Sequence, residues 1–196
     1  MRFVVVVDTQ WDFMAVDGAL SVAGAADLIE PMRAWLAALV PSETAGVLFT
    51  YDTHDSDIYS KSPEAEAFPA HCVRGSTGWN NVLDPAVIDP AIPAWTMQKG
   101  VFDMWAEDNL GILNVRSPNA APTDRDAFFN DLKSEGIEHV TVIGVAADYC
   151  VRWAIEGLVV RGFKVEVPAA LTRGIERQID AVATQEFAEG TVSILT

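Results

Sequence analysis

Phe3-Val4-Val5-Val6-Val7-Asp8 is the stretch that decides the fold of this chain. An unbroken run of β-branched and aromatic residues is typical of a strand buried on both faces of a parallel sheet. Further strands are predicted at 46–50, 95–97, 139–143 and 163–167. The chain therefore starts as one strand of a sheet that later segments complete.

Helical spacing of apolar residues fills the intervals between these strands. Helices are predicted at 25–39, from a cap at Thr123 to Gly136, at 148–161 and at 175–189. Strand and helix alternating in this way predict an α/β fold with three layers, α/β/α, on a central, mainly parallel sheet. A length of 196 residues fits a single domain over 1–196.

Composition excludes several classes of protein. Half of the chain is hydrophobic, and 13 Lys and Arg face 28 Asp and Glu, a net charge of −15. So acidic a surface disfavours nucleic-acid and membrane partners. No apolar run approaches a membrane span, and the apolar start is too short for a signal peptide. With two cysteines and no disulfide framework, we expect a soluble cytoplasmic protein with reduced thiols.

Reactive side chains follow the predicted strands. Asp8, Asp52 with His54, and Lys99 come just past three of them, and Cys150 lies seven residues past the strand at 139–143. Ligands bind outside the carboxyl ends of parallel strands. We therefore expect these side chains to meet at one rim of the sheet.

Cys150 has physical reasons to be a nucleophile. It falls in the first turn of a predicted helix, where the dipole and free amides stabilise a thiolate. The small residues at 144–147 can offer amide donors to an oxyanion. Asp8 can serve as the base, and Lys99 would keep Asp8 ionised and add positive potential at the thiolate.

A second group predicts a metal site. Asp52 and His54 are two residues apart in an extended segment, so they point to the same side. His71 is the natural third ligand, on the long irregular loop at 51–94. Glu64 is either the fourth ligand or a solvated surface charge. Imidazole with carboxylate suits a divalent ion such as zinc, with iron or manganese as alternatives.

Four motifs in this order resemble the isochorismatase-like cysteine hydrolases, and among them the nicotinamidases (pyrazinamidases). The resemblance covers nearly the whole chain and rests on 7–13 (VDTQWDF), 52–54 (DTH) with 68–73 (FPAHCV), 99–100 (KG) and 144–151 (GVAADYCV).

The resemblance implies a Rossmann-like fold and hydrolysis of a small-molecule amide, nicotinamide, through a thioester. It implies a triad of Asp8, Lys99 and Cys150, a cis peptide between Val145 and Ala146, and an oxyanion hole formed by the amides of Ala146 and Cys150. It also implies a homo-oligomer, aromatic walls and one metal ion. The residues so assigned are Phe13 and Phe68 for the walls and Asp52, His54 and His71 for the metal, with Glu64 added in some relatives.

Two other interpretations stay open. The triad could act on another small amide or carbamoyl compound, since Thr53, Phe68 and Ala147 depart from the usual nicotinamidase residues. The chain could also be an inactive ligand-binding relative. The tryptophans fit either an interface between subunits or the core; they are Trp79, Trp95 and Trp105.

Overall fold

The apolar run that opens the chain lies in the middle of the sheet. The computed structural model describes residues 1–196, except the side chain of Pro63. Within these residues nine strands form one sheet. They are β1 (Arg2–Val7), β2 (Thr44–Asp52), β3 (Ala94–Lys99), β4 (Gly111–Asn114), β5 (Thr123–Asp124), β6 (His139–Val145), β7 (Lys164–Pro168), β8 (Thr172–Arg173) and β9 (Val192–Leu195).

Most neighbouring strands are parallel. Their order is β5-β4-β3-β2-β1-β6-β7-β9, and β8 pairs with the end of β6. Only the pairs β3–β4 and β4–β5 are antiparallel among the described strands. The mainly parallel sheet predicted from the sequence is thus confirmed, with a short antiparallel edge added.

Helices cover both faces of this sheet. They are α1 (Trp11–Met14), α2 (Ile29–Ala37), α3 (Ser56–Tyr59), α4 (Arg125–Ser134), α5 (Cys150–Val160) and α6 (Ile179–Glu186). Phe3, Val5 and Val7 join the core under α4, α5 and α6, whereas Val4 and Val6 join the core under α1 and α2. This alternation explains why β1 needs an apolar residue at every position.

Several predicted helix ends were wrong. The helix predicted at 25–39 is a 3₁₀ turn at Ala26–Leu28 followed by α2. The helix predicted from 148 begins at Cys150, and the one predicted at 175–189 is α6. Residues 175–177 stay outside α6 because their backbone N–H groups donate to the Asp148 carboxylate.

The cap of α4 also differs from the prediction. Asp124, not Thr123, accepts hydrogen bonds from Asp126 N and Ala127 N, because its carboxylate reaches the free amides of the first turn. The loop at 51–94 holds α3 and two 3₁₀ turns, so it is less irregular than predicted.

Two further findings bear on partners. Trp79, Trp95 and Trp105 are half-buried and pack against the two cores. Every helix in the described chain is too short or too polar to cross a bilayer.

Gly144 is the position where the sheet has no room for a side chain. Its φ is +124°, and a Cβ there would collide with the Val7 carbonyl oxygen on β1. We expect Gly144→Ala to lower the free energy of unfolding by about 3 kcal/mol, since strain and overpacking add. Gly136→Ala is the control, because its φ is +80° but no atom lies within 4 Å of the added methyl.

For the control we expect a loss of about 1 kcal/mol. Urea titration of both variants measures the difference. Equal losses would contradict a clash between β1 and β6.

Candidate active site and metal centre

The carboxyl ends of the strands bring the reactive side chains together. Asp8 directly follows β1, and Cys150 opens α5 after β6. Asp52 and Lys99 were predicted just past their strands, but they are the last residues of β2 and β3 and face each other in register. The predicted convergence at one rim is therefore a feature of the structure.

Asp8, Lys99 and Cys150 form a contiguous buried group. The Lys99 Nζ atom lies 2.8 Å from Asp8 Oδ2 and 3.6 Å from Cys150 Sγ. The three residues are at most 5% exposed. A carboxylate, an ammonium and a thiol are thus held within contact distance in a site that largely excludes water.

Thr50 fixes the position of Asp8. Its hydroxyl donates to Asp8 Oδ1 at 2.6 Å, and Asp8 N lies 3.2 Å from Thr50 Oγ1. Asp8 has a φ of +48°, a left-handed conformation that aspartate tolerates better than most residues. The sharp bend after β1 therefore turns the carboxylate toward Lys99.

The protonation of Cys150 differs from the sequence prediction. The residue does start a helix, and Lys99 does lower its pKa. Burial acts more strongly in the opposite direction, and Asp8 and Asp52 add to it, so the pKa of the thiol lies well above its usual value. The raised pKa favours the neutral thiol, so attack by sulfur needs a base that accepts the proton.

Backbone amides at the start of α5 are available for an oxyanion. The peptide bond between Val145 and Ala146 is cis, as the resemblance implies. In the described chain, the N–H groups of Ala146 and Cys150 donate to no other residue, and α5 has no side-chain cap. Both residues line the cavity beside the thiol, which is where an oxyanion hole needs its donors.

Four side chains converge on one point next to the thiol. Asp52 Oδ2 lies 3.0 Å from His54 Nε2 and 3.1 Å from His71 Nε2. Glu64 Oε1 lies 3.3 Å from His71 Nε2 and 3.7 Å from His54 Nε2. A zinc ion about 2.1 Å from four tetrahedral ligands separates them by about 3.4 Å. The spacing of these atoms therefore fits a metal ion.

The state of the carboxylates also calls for a cation. Glu64 Oε1 is buried and makes no hydrogen bond within the described chain. Burial would raise the pKa of Asp52, but Lys99, His54 and His71 outweigh it and hold the pKa below its usual range. Two carboxyl groups and two imidazoles buried against one another are a group of side chains that a divalent cation would stabilise.

The environment of His71 also favours a positive charge at this point. Burial alone would lower its pKa, but contacts with Asp52 and Glu64 raise the pKa to about 10. Its Nδ1 atom contacts the Pro69 carbonyl at 2.7 Å, which leaves Nε2 toward the carboxylates. Metal-bound histidines commonly use a carbonyl in this way to fix the ring.

An apolar slot leads to the thiol. Phe13 and Phe68, the two walls predicted from the sequence, line it together with Cys150. Phe102 and Tyr149 complete the walls, and each packs edge-on against Phe68 with ring centroids 5.6 Å apart. Sequence reasoning missed these two, because an aromatic residue alone does not distinguish a pocket wall from the core.

Three polar residues that hold the site in place were also missed. The Gln10 side chain donates to Asp52 O and accepts from Asp52 N, fixing the end of β2. Asp12 accepts from Cys72 N, next to His71. Asp148 holds the loop that carries Ile175 to the slot. Gln10 and Asp12 lie within the motif at 7–13, but their partners are distant in sequence.

Comparison with known proteins identifies the family of this chain. Residues 2–196 match the isochorismatase domain. The chain belongs to the isochorismatase family. This isochorismatase-family chain is 29% identical over 198 residues to a nicotinamidase/pyrazinamidase of Mycobacterium tuberculosis, with 100% of this chain and 98% of the relative covered.

Solved structures show the same fold. A pyrazinamidase of Pyrococcus horikoshii in complex with zinc has a TM-score of 0.73 at 21% identity, covering 100% of this chain and 98% of that one. A yeast nicotinamidase bound to the inhibitor nicotinaldehyde has a TM-score of 0.70 at 20% identity, covering 100% and 99%. The resemblance found in the sequence is thereby confirmed at the level of family and fold.

Alkylation of Cys150 tests its protonation. Because its pKa is raised, the thiolate forms only above the usual pH range, and iodoacetamide should react slowly at pH 7. Asp8 raises this pKa and Lys99 lowers it. We therefore expect Asp8→Asn to speed alkylation at pH 7 and Lys99→Gln to slow it.

Peptide mass spectrometry, which separates Cys150 from Cys72, measures the rates from pH 6 to pH 10. Slower alkylation in Asp8→Asn would show that Asp8 activates the thiol already in the resting protein.

Proposed function

We propose that this chain is a metal-containing cysteine amidohydrolase that converts nicotinamide and water to nicotinate and ammonia. The observation that carries the proposal is the Asp8–Lys99–Cys150 group at the end of an aromatic slot, beside four metal-binding side chains. The names of its relatives support the substrate, since nicotinamidases occur among both the sequence and the structure matches.

Acylation begins with the proton on Cys150. Asp8 accepts that proton while sulfur attacks the amide carbon, and a C–S bond forms. The negative charge passes to the carbonyl oxygen, where the N–H groups of Ala146 and Cys150 stabilise it. Asp8 then gives the proton to the amide nitrogen as the C–N bond breaks. Ammonia leaves, and a thioester on Cys150 remains.

Hydrolysis repeats these steps with water. Asp8 takes a proton from water while the oxygen attacks the thioester carbon, and the same two amides hold the oxyanion. The C–S bond then breaks, and the proton on Asp8 returns to sulfur. The carboxylic acid so formed gives its proton to solvent and leaves as nicotinate. Lys99 stays charged throughout, because its contacts with Asp52 and Asp8 outweigh burial and keep its pKa well above the usual value.

Asp52, His54, Glu64 and His71 are the residues that would hold one divalent ion. Two imidazoles and two carboxylates suit zinc, and also iron or manganese. Such an ion supplies a positive charge that can orient a ring nitrogen of the substrate. Glu64 acts as a ligand rather than as a solvated charge, since its side chain is only 7% exposed and faces both histidines.

Other features complete the proposal. We place the protein in the cytoplasm, since Cys72 and Cys150 are free thiols and reducing compartments keep them so. We treat 1–196 as a single domain, because strands from both ends of the chain join one sheet. The homo-oligomer stays a prediction.

Cys150→Ala should lower the rate of ammonia release from nicotinamide by at least about 10³-fold, because no thioester can form. Cys72→Ala is the matched control, since it removes the other buried thiol and should keep most of the activity. A coupled ammonia assay at saturating substrate measures both variants, and circular dichroism checks their folding.

A panel of small amides and carbamoyl compounds separates the alternatives. A kcat/KM highest for nicotinamide supports the proposal, and a higher value for another amide reassigns the substrate. Substantial turnover in Cys150→Ala would refute the covalent mechanism. If the wild type turns over none of these compounds, the remaining interpretation is that the chain is an inactive ligand-binding relative.

Elemental analysis tests the metal centre. We expect about one divalent ion per chain in the wild type and none in His71→Ala, which removes a central ligand. Glu64→Ala should bind the ion about 10- to 100-fold more weakly. Glu66→Ala is the control, since Glu66 lies on the same turn but is exposed. Full occupancy in Glu64→Ala with unchanged affinity for the ion would remove Glu64 from the site.

A further inference from the structure

The Tyr59 hydroxyl lies behind the metal-binding group and contacts three atoms. It is 3.0 Å from the Phe68 carbonyl oxygen, 2.9 Å from the Pro69 carbonyl oxygen and 3.4 Å from His71 Nδ1. Tyr59 ends α3 and is only 5% exposed. The single phenol hydrogen is therefore shared between two successive peptide carbonyls of the segment that leads to His71.

These carbonyls belong to two different functional elements. The Pro69 oxygen accepts from His71 Nδ1 at 2.7 Å, so its position sets the direction of the imidazole. The Phe68 carbonyl belongs to the residue whose ring forms a wall of the apolar slot. Holding both oxygens on one hydroxyl fixes a metal-binding residue and a substrate wall relative to each other.

The ring of Tyr59 adds a second constraint. It packs edge-on against His54 and His71, with ring centroids 4.7 Å and 5.6 Å away. The ring of Tyr59 thus restricts the movement of both imidazoles. Replacing the tyrosine by phenylalanine would keep this packing and remove only the hydroxyl.

We propose that Tyr59 is a positioning residue, whose hydroxyl orients His71 toward the metal and anchors the Phe68 wall through their shared segment. The proposal rests on the metal centre of the proposed function. It deepens that function, since it names a residue outside the four ligands that sets their geometry. Partners of this kind typically change metal affinity by 10- to 100-fold when removed.

Tyr59→Phe is the test, and Tyr51→Phe is the matched control. Tyr51 is partly buried, and its ring packs on Trp79 instead of on a histidine. We expect the zinc dissociation constant, measured by competition with a chromophoric chelator, to rise about 10- to 100-fold in Tyr59→Phe and to stay unchanged in Tyr51→Phe. The KM for nicotinamide should rise more than kcat falls, because the Phe68 wall loses its anchor.

A merely structural role would have a different signature. It would lower the melting temperature of the chelator-treated protein while leaving zinc affinity unchanged. A cobalt-substituted sample gives a second readout, since a turned imidazole alters the visible absorption of the bound ion.

Wild-type zinc affinity in Tyr59→Phe, with an unaltered cobalt spectrum, would overturn this inference and leave the metal centre standing. A wild-type chain that binds neither zinc nor cobalt would overturn both.

Discussion

The buried ammonium of Lys99 lies between two carboxylates, and the rest of the site depends on it. Its Nζ atom is 2.8 Å from Asp8 and 3.4 Å from Asp52, and all three side chains are at most 1% exposed. An ionised carboxylate can be buried only with a partner. Lys99 contacts only one oxygen of Asp52, and the other oxygen contacts His54 and His71, so the Asp52 carboxylate joins Lys99 to the metal-binding group.

The two carboxylate oxygens of Asp52 contact different parts of the site, one the triad and the other the metal-binding group. Oδ1 faces Lys99, whereas Oδ2 faces His54 and His71. The β2–β3 register sets this arrangement, because it places Asp52 directly opposite Lys99. A slip of one residue would turn Lys99 to the other face of the sheet. The pairing of β2 with β3 therefore determines whether Lys99 and the metal-binding group share a carboxylate.

The sequence predicts most of this architecture, because its strongest signals lie within short segments of the chain. The apolar run at 3–7 identified the central strand, and polar residues at strand ends identified the rim. Helix starts were predicted less well, since Asp148 binds amides of residues 175–177, which are distant in sequence. The protonation of Cys150 was missed for a similar reason. Helix position is visible in a sequence, but burial beside two carboxylates is a property of the folded chain.

Attack by a thiol that starts neutral suits a buried site that largely excludes water. In the proposed reaction one negative charge moves from Asp8 to the oxyanion while a proton moves from sulfur to Asp8, so the number of charges in the site stays constant. In a low-dielectric site, moving a charge between groups that are already positioned to stabilise it costs less free energy than creating a new charge. A neutral amide preserves this balance, whereas a carboxylate adds a third anion beside Asp8 and Asp52. The same repulsion acts on the carboxylate product, which favours its departure after hydrolysis.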